Sequence, residues 1–461
     1  MDVNVRDYGA VGDDATDDTL AFRNALDAIR ATGGTCFVPP GVYKIAPTGI
    51  TGSNNISALT EGMHLVGMDG PTPPSPDIPE VLPTELQPPA AFLSLHDPPT
   101  QDMVRGRDNN WSIEKMGFIW RNFYGSQSAI PVRALALGGG KGWKIDKCWF
   151  LAVGRAAISC TGAYFTISDC YVFNQTTIAL GDGHTPEGVV TTTSQNNTFP
   201  HHGKFIHNVI DGCAGFSTLG NNHLFKHNTV TNMSFASGFF EAGTELNASQ
   251  NRDNIYIGNT ANFGKEGPDN YTHQAWTQAR GFEIWTPYTL MFRNTATDNC
   301  GTGFALGCKS SVIAFNRAID NGKDIGNPSH VHDDGFSSTG LSRSGAQFVN
   351  NSNTMYLGNT AIDTRPAGTK TQRYGIHVHT DRVRCLSVVG NNFHGNEIDE
   401  GIYLNNQPNV TVDKGRDMFR NTLDEKQRNM IRALLDADQY DLTDGQYVTL
   451  NQLLTGSTNP R

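Results

Sequence analysis

A short motif that recurs along most of the chain constrains the fold more than any other feature. Each copy begins with an apolar or aromatic residue and ends three positions later in Asn or Cys. The copies end at Cys148, Cys170, Asn208, Asn228, Asn259, Asn294, Asn316, Asn359 and Asn391. The tightest separations, which end at Cys170, Asn228 and Asn316, are 22, 20 and 22 residues. Such a period is typical of one coil of a β-solenoid.

The recurrent asparagine has a physical reason. At a corner of the coil, its amide can bond the backbone and stack on the asparagine of the next coil, which forms a ladder. Cys148 and Cys170 replace asparagine at two ladder positions. We interpret them as small buried side chains rather than as a reactive thiol pair.

A second motif follows each ladder position and consists of a small residue, usually Gly, before Phe or Ile. Because side chains alternate along a strand, this Phe or Ile and the residue two positions later point inward. The second inward positions are mostly apolar, which supports the frame: Cys160, Leu180, Thr218, Ile284, Leu306, Val378 and Leu404. The two motifs together predict a parallel β-solenoid whose coils stack about 4.8 Å apart.

The N-terminal segment has a pattern of its own. Residues 5–26 read VRDYGAVGDDATDDTLAFRNAL, and residues 33–45 read GGTCFVPPGVYKI. This segment resembles the N-terminal module of the pectate-lyase-like right-handed parallel β-helix superfamily. Phage tailspikes, mannuronan C5-epimerases, polygalacturonase-like hydrolases and several lyases share that module. The resemblance implies an all-β, right-handed parallel β-helix whose N-terminal helix covers the open apolar end.

The pattern divides the chain into three parts. Residues 1–50 are the N-terminal cap module, residues 51–415 the parallel β-helix, and residues 416–461 a C-terminal helical cap. Ten of the 22 prolines fall within residues 71–99, which we predict to be an irregular loop insertion. The acidic residues 436–444 suggest a calcium loop, but their spacing fits an acidic capping turn better. Calcium is therefore a weakly supported ligand, and no cofactor is required.

The outward positions of one predicted sheet form a long surface suited to a polymer. Its first column contains Ser159, Ser217, Phe240, Glu283, Ser337, His377 and Tyr403, and the second contains Trp285 and His379. Aromatic rings can stack on sugar faces, while carboxylates and imidazoles can transfer protons. We therefore predict that Phe240, Trp285, His379 and Tyr403 bind an oligo- or polysaccharide.

Glu283 and Glu241 are the predicted catalytic carboxylates of a glycoside hydrolase or transglycosylase. Glu241 points inward in the strict frame, but a one-residue slip that buries Phe240 instead of Phe239 turns it outward. Carboxylates on adjacent coils would then lie about 5–10 Å apart, the range that glycoside hydrolysis uses. Glu245 is the reserve partner.

Two further interpretations stay open. Asp333 and Asp334 resemble the acidic pair of polygalacturonase-like hydrolases, although the accompanying Gly-His-Gly and Arg-Ile-Lys motifs are missing. The epimerase motif Tyr-Gly-Phe-Asp-Pro-His has only partial counterparts at residues 280–285 and 374–379. A lyase or C5-epimerase of a uronate polymer, with His377 or Tyr403 as base, is the second hypothesis. A non-catalytic glycan-binding protein of a phage or cell surface is the third.

Charge and composition exclude several partners. The net charge of -10 disfavours nucleic acid and anionic membranes, and no apolar run is long enough for a transmembrane helix. The eight cysteines form no metal-binding pattern, so no metal site is predicted.

The outward columns lack Lys and Arg, which favours a neutral glycan over a polyuronate. The resemblance implies a homotrimer and an extracellular, periplasmic or virion location, with the cytoplasm left open.

Overall fold

The protein is mostly short parallel strands, with few helices. The computed structural model describes residues 1–46, 56, 58–73, 86–95, 103–120, 133–137, 140–151, 156–173, 187–191, 200–233, 237–241, 252–264, 280–322, 336–338, 353–378, 386–398, 402–403, 412–413, 423–436 and 442–455. The chain forms two compact units. Unit 1 comprises residues 1–241 and 260–279, and unit 2 comprises residues 242–259 and 280–461. Among the described helices, none is long and apolar enough to cross a membrane.

Unit 1 has three parallel sheets. The strands of its first sheet are Val3–Asn4, Gly34–Val38, Met63–Gly67, Ser112–Glu114, Lys144–Asp146, Thr166–Ser168, Lys204–Ile206 and Leu224–Lys226. The strands of its second sheet are Asp13–Asp17, Gly41–Ile45, Ala91–Leu95, Met116–Trp120, Trp149–Leu151, Tyr171–Phe173, Val209–Asp211, Thr229–Thr231 and Thr260–Asn262. The strands of its third sheet are Val104–Gly106, Arg133–Leu137, Ala156–Cys160, Glu187–Thr191, Ala214–Thr218 and Phe239–Glu241.

Unit 2 repeats the same three-sheet coil. The strands of its first sheet are Ile255–Ile257, Leu290–Phe292, Val312–Ala314, Thr354–Leu357, Leu386–Val389 and Val412–Asp413. The strands of its second sheet are Thr295–Thr297, Arg317–Ile319 and Thr360–Ile362. The strands of its third sheet are Phe282–Ile284, Phe304–Leu306, Phe336–Ser338, Ile376–Val378 and Ile402–Tyr403. The predicted right-handed parallel β-helix is therefore confirmed.

The N-terminal helix forms as predicted. A 3₁₀ helix at Val5–Tyr8 precedes the α-helix at Thr19–Ile29, and this α-helix packs against the first two strands of the first sheet. Phe22, Leu26 and Ile29 are fully buried on its apolar face. The helix thus buries apolar surface at the start of the solenoid, where strand edges would otherwise be open.

The proline-rich segment is more regular than its composition predicts. Ala91–Leu95, within the predicted insertion 71–99, is a buried strand that pairs with Gly41–Ile45 and Met116–Trp120. The prediction of an irregular loop is therefore wrong for this stretch. Its five-residue run lacks proline, so every backbone N–H can join the ladder. Residues 74–85 and 96–100 lie outside the described residues.

Stacked aromatic side chains fill the interior of each unit. In unit 1, the Trp143 ring lies 5.1 Å from Trp111 and 4.3 Å from Phe165, nearly parallel to both. In unit 2, Phe282 and Phe304 stack at 4.8 Å. The coil spacing brings equivalent side chains over one another, so aromatic residues at the same position of adjacent coils stack.

The asparagine ladder is present and its amides are buried. The Asn294 side-chain NH₂ donates to the Asn316 side-chain oxygen and to the Tyr256 carbonyl, both at 2.9 Å. Its own side-chain oxygen accepts the Asn259 backbone N–H at 3.0 Å.

Cys170 is buried, and this burial raises the pKa of its thiol well above the usual range. The interpretation of the ladder cysteines as buried side chains therefore fits their surroundings.

The C-terminal helices pack along the side of unit 2. They span Glu425–Asp436 and Asp444–Thr455. The first places the Lys426 ammonium 2.9 Å from Asp253 and 3.7 Å from the centre of the Tyr288 ring. The strands Leu290–Phe292 and Val312–Ala314 on this side are buried at every position. The predicted helical cap is thus a lateral cover for apolar strands.

A buried histidine joins two coils of unit 1. His223 is 1 % exposed, and its Nδ1 accepts the Gly203 backbone N–H at 2.9 Å. An imidazole with Nδ1 as acceptor carries its proton on Nε2, which therefore donates to the Leu219 carbonyl at 3.1 Å. Burial lowers the pKa of His223 to about 4, so the folded protein keeps this ring neutral.

This burial predicts acid sensitivity. The unfolded chain protonates His223 near the ordinary histidine pKa of 6.5, whereas the folded chain does so near 4. Stability from His223 is therefore lost as the pH falls from 6.5 towards about 4, by an amount on the order of 3 kcal/mol. Urea unfolding of wild type and His223→Gln across this range should show a steeper decline for wild type. Parallel curves would contradict the assignment.

A ladder position supplies a stability prediction. Asn294→Ala removes the acceptor for the Asn259 N–H and leaves that buried donor unsatisfied, which should cost about 1–3 kcal/mol in the free energy of unfolding. Asn451→Ala, on an exposed helical position, is the matched control and should change stability by less than about 0.5 kcal/mol. Chemical denaturation measures both. Equal effects of the two variants would show that the ladder amides contribute no special stability.

Candidate functional site

The third sheet of unit 2 carries the part of the predicted outward column that contains Glu283, Ser337, His377 and Tyr403. Its register pairs Glu283 with Ala305, Ser337 with His377, and His377 with Tyr403. The flanking residues Phe282 and Ile284 are fully buried in the core. Because strand side chains alternate, Glu283 and His377 project from the other face of this sheet. The backbone register thus places these residues in one row, as the sequence pattern predicts.

Glu283 is held by two donors. The Arg280 Nη1 lies 2.9 Å from its Oε1, and the Trp285 indole N–H donates to the same oxygen at 3.2 Å. The side chains of Arg280 and Glu283 are only 10 % and 14 % exposed. Charge-assisted bonds of this kind are short and strong, and they fix the orientation of the carboxylate. The site is a carboxylate bound between a guanidinium and an indole.

Arg280 is a site residue that the sequence pattern did not predict. The sequence does place an Arg three residues before Glu283, just ahead of the strand, and this spacing was the available signal for a contact between them. Alternation assigns residues inside a strand to one face or the other. It does not assign the side chain of a residue that precedes the strand, so only the folded chain shows this contact.

Glu241 does not lie where the catalytic prediction needs it. The strand register pairs Phe216 with Phe239 and Thr218 with Glu241, and Glu241 is fully buried. The predicted one-residue slip is therefore wrong. Phe239 stays inside because its ring stacks on Phe216 at 5.2 Å, and Phe240 stays in the outward column, partly exposed.

His377 belongs to a second group of polar and aromatic side chains. It is 5 % exposed, and its ring meets the Tyr374 ring edge-on at 5.1 Å. The Arg373 guanidinium lies 5.4 Å from the centre of the Tyr374 ring. Tyr403 is the strand partner of His377 on the adjacent coil. The Tyr374 ring therefore contacts both an imidazole and a guanidinium at one end of the row, and this guanidinium also lies 4.0 Å from Glu397.

The distance between the two groups decides how they can act. Glu283 and His377 are separated by three strand spacings in the register, which is roughly 14 Å. Groups this far apart cannot act on one bond, since proton transfer needs contact at hydrogen-bond distance. They are therefore two separate groups along the row.

Several predicted residues lie outside the described part of the chain. They are Glu245, Asp333, Asp334 and His379. The acidic stretch 436–444 is described only at its helical ends, so calcium binding there stays a prediction. Within the described residues, no group of three or more His, Cys, Asp or Glu could hold a metal ion.

Sequence comparison identifies relatives of the N-terminal segment. Residues 2–74 match the family model described as Rhamnogalacturonase A/epimerase, pectate lyase-like. Mannuronan C5-epimerase AlgE6 from Azotobacter vinelandii is 41% identical over 68 residues, which is 14% of this chain and 8% of that protein. The match thus spans less than a tenth of that relative's length. It confirms the superfamily resemblance of the N-terminal module.

Solved structures share the fold across the chain. The AlgE6 A-module of Azotobacter vinelandii aligns with a TM-score of 0.62 and 17% identity, covering 90% of this chain and 98% of that one. The Dettilon tailspike protein aligns with a TM-score of 0.53 and 14% identity, covering 92% of this chain and 70% of that one. At these identities the likeness concerns the β-helix fold alone.

A double-mutant cycle tests the Arg280–Glu283 contact. Arg280→Met or Glu283→Gln alone leaves a largely buried charge without its ion-pair partner, and each should destabilise by about 3–5 kcal/mol. The double variant should lose less than the sum, with a coupling of about 1–3 kcal/mol. Denaturant unfolding of all four proteins measures this coupling. Strict additivity would contradict the ion pair.

Proposed function

We propose that this pectate-lyase-like β-helix protein is a carbohydrate-active enzyme that acts on a polysaccharide lying along the third sheet of unit 2. The proposed reaction is removal of the C5 proton of a uronate residue, leading to epimerisation or β-elimination. The observation that carries the proposal is the contact of the Tyr374 ring with both His377 and Arg373 at one end of the outward row.

Each member of this group has a chemical role. The C5 proton lies next to the uronate carboxylate, and a cation such as Arg373 that neutralises this carboxylate makes the proton more acidic. His377 is the proposed base that takes the proton. As the C5–H bond breaks, its electron pair moves into the carboxylate group. In epimerisation, a phenol, from Tyr403 or Tyr374, then returns a proton to the opposite face of C5. In β-elimination, that phenol instead protonates the departing oxygen at C4 while a C4–C5 double bond forms.

A uronate substrate replaces the neutral glycan that the sequence pattern favours. That expectation rested on outward columns without Lys or Arg. Arg280 and Arg373 each precede a strand of this sheet, so neither belongs to the columns. Arg280 binds Glu283, and Arg373 lies over the Tyr374 ring, which contacts His377. The name of the N-terminal relative, a mannuronan C5-epimerase, agrees with this reaction class.

Glycosidic bond cleavage is the second candidate. Its specific observation is Glu283 beside the Trp285 indole, because a carboxylate next to a partly exposed aromatic ring suits a sugar subsite. Glu241 is buried, and the described residues of the outward column in unit 2 include no second carboxylate. We therefore assign Glu283 to substrate binding. A homotrimer and an extracellular or virion location remain predictions.

The test is turnover by a histidine variant. His377→Ala should reduce kcat/KM on a uronate polymer by about 10²–10⁴-fold, since it removes the proposed base. His64→Ala, at a partly buried position of another sheet, is the matched control and should keep full activity.

Product analysis separates the candidates. Ultraviolet absorbance from unsaturated ends, or NMR signals of inverted C5, that disappear in His377→Ala would support the proposal. New saturated reducing ends that disappear in Glu283→Gln and persist in His377→Ala would favour glycosidic cleavage instead. Tight glycan binding without any product would contradict both and favour a non-catalytic binding protein.

A further inference from the structure

The first sheet of unit 1 carries a basic surface that the proposed reaction does not use. It spans the coils that contain the strands Lys144–Asp146, Thr166–Ser168 and Lys204–Ile206. Lysines, histidines and one tyrosine are concentrated there. This basic patch comprises Lys141, Lys144, Lys147, Tyr164, His201, His202, Lys204 and His207.

The patch consists of three parallel rows. In the central row, the register pairs Lys144 with Thr166 and Thr166 with Lys204. The row before the strands pairs Lys141 with Ala163 and Ala163 with His201. Lysines and histidines in these rows recur at every second coil, which is a spacing of about 10 Å.

The third row lies just after the strands. It contains Lys147, Asp169 and His207, whose backbone N–H groups each bond the next coil. All three residues have a positive φ of 52° to 54°. This left-handed turn repeats at the same position of each coil, so the three side chains line up along the edge of the sheet.

Positive and negative side chains both occur at the patch. Lys144 is paired with Asp146 at 3.1 Å and with Glu114 at 3.9 Å, and Asp169 lies 3.6 Å from the His207 ring. Lys141, Lys147 and Lys204 are exposed. The chain as a whole has a net charge of -10, so the exposed lysines of this face are a local concentration of cations.

An exposed aromatic stack borders the cations. Tyr164 is 55% exposed, and its ring stacks on His202 at 4.6 Å and meets His201 edge-on at 5.4 Å. The Nδ1 atoms of the two imidazoles lie at hydrogen-bond distance, 2.8 Å, which holds the rings beside the tyrosine. A flat ring next to repeated cations suits a sugar face whose neighbouring groups are anionic.

We propose that the basic patch is an accessory binding surface for a polysaccharide that bears carboxylates. Repeated cations favour a polymer over a small anion, because several weak contacts on one chain act together. The position of the patch follows from charge and register, whereas the choice of a uronate polymer as ligand rests on the proposed function.

Affinity electrophoresis tests this surface in the full chain. The protein carries His377→Ala so that a polyuronate embedded in the gel is not turned over. In this background, Lys147→Glu combined with Lys204→Glu should weaken retardation by the polyuronate at least about fivefold. Tyr164→Ala should weaken it to a smaller extent. Arg317→Glu, at an exposed position of the second sheet of unit 2, is the matched charge control and should bind as the background does.

The binding results for the patch variants can be interpreted independently of whether the catalytic proposal is correct. Loss of retardation in the patch variants, with unchanged thermal unfolding and normal binding by Arg317→Glu, supports the surface whether or not any turnover is found. Undiminished binding by the patch variants overturns it. Equal or stronger patch-dependent retention of duplex DNA, compared with the polyuronate, also overturns it.

Discussion

The stacking of one coil directly over the next is the interaction on which the rest of the structure depends. Parallel backbone hydrogen bonds hold neighbouring coils about 4.8 Å apart, so equivalent side chains lie in register. Inside, that register produces the ring stacks of Trp111, Trp143 and Phe165 and the amide ladder through Asn294. Buried amides are costly unless bonded, and the ladder bonds each one to its neighbour. Outside, the same register turns single residues into rows.

The two units differ in what lies against the outer face of the first sheet. In unit 2, the first sheet has apolar residues on both faces, and the C-terminal helices lie against it. In unit 1, the first sheet instead presents Lys144, Lys204 and Asp146 to solvent or to each other. Apolar outward residues require a cover, whereas charged ones remain hydrated. The same repeat therefore supports a helix-packing face in one unit and a polar surface in the other.

The outward row of unit 2 combines rigidity with chemical variety. Glu283 is oriented by Arg280 and Trp285, and His377 lies against Tyr374. Glu283 and His377 lie on strands, so their separation along the row is set by the coil spacing. A polymer bound along such a row would meet a fixed sequence of subsites, which is the basis for assigning binding and proton transfer to different places.

The coil period, the ladder positions, most of the inward frame and the N-terminal cap follow from the amino-acid sequence alone, because they repeat or depend on neighbours in the chain. The sequence could not choose between two frames for the Phe239–Phe240 pair, since either phenylalanine satisfies the local pattern. The folded chain has Phe239 inside, stacked on Phe216, and in this frame Glu241 is buried. The contacts of Arg280 and Arg373 were likewise decided only in three dimensions. Side chains that precede a strand have no periodicity, so the folded backbone alone directs them towards Glu283 and Tyr374.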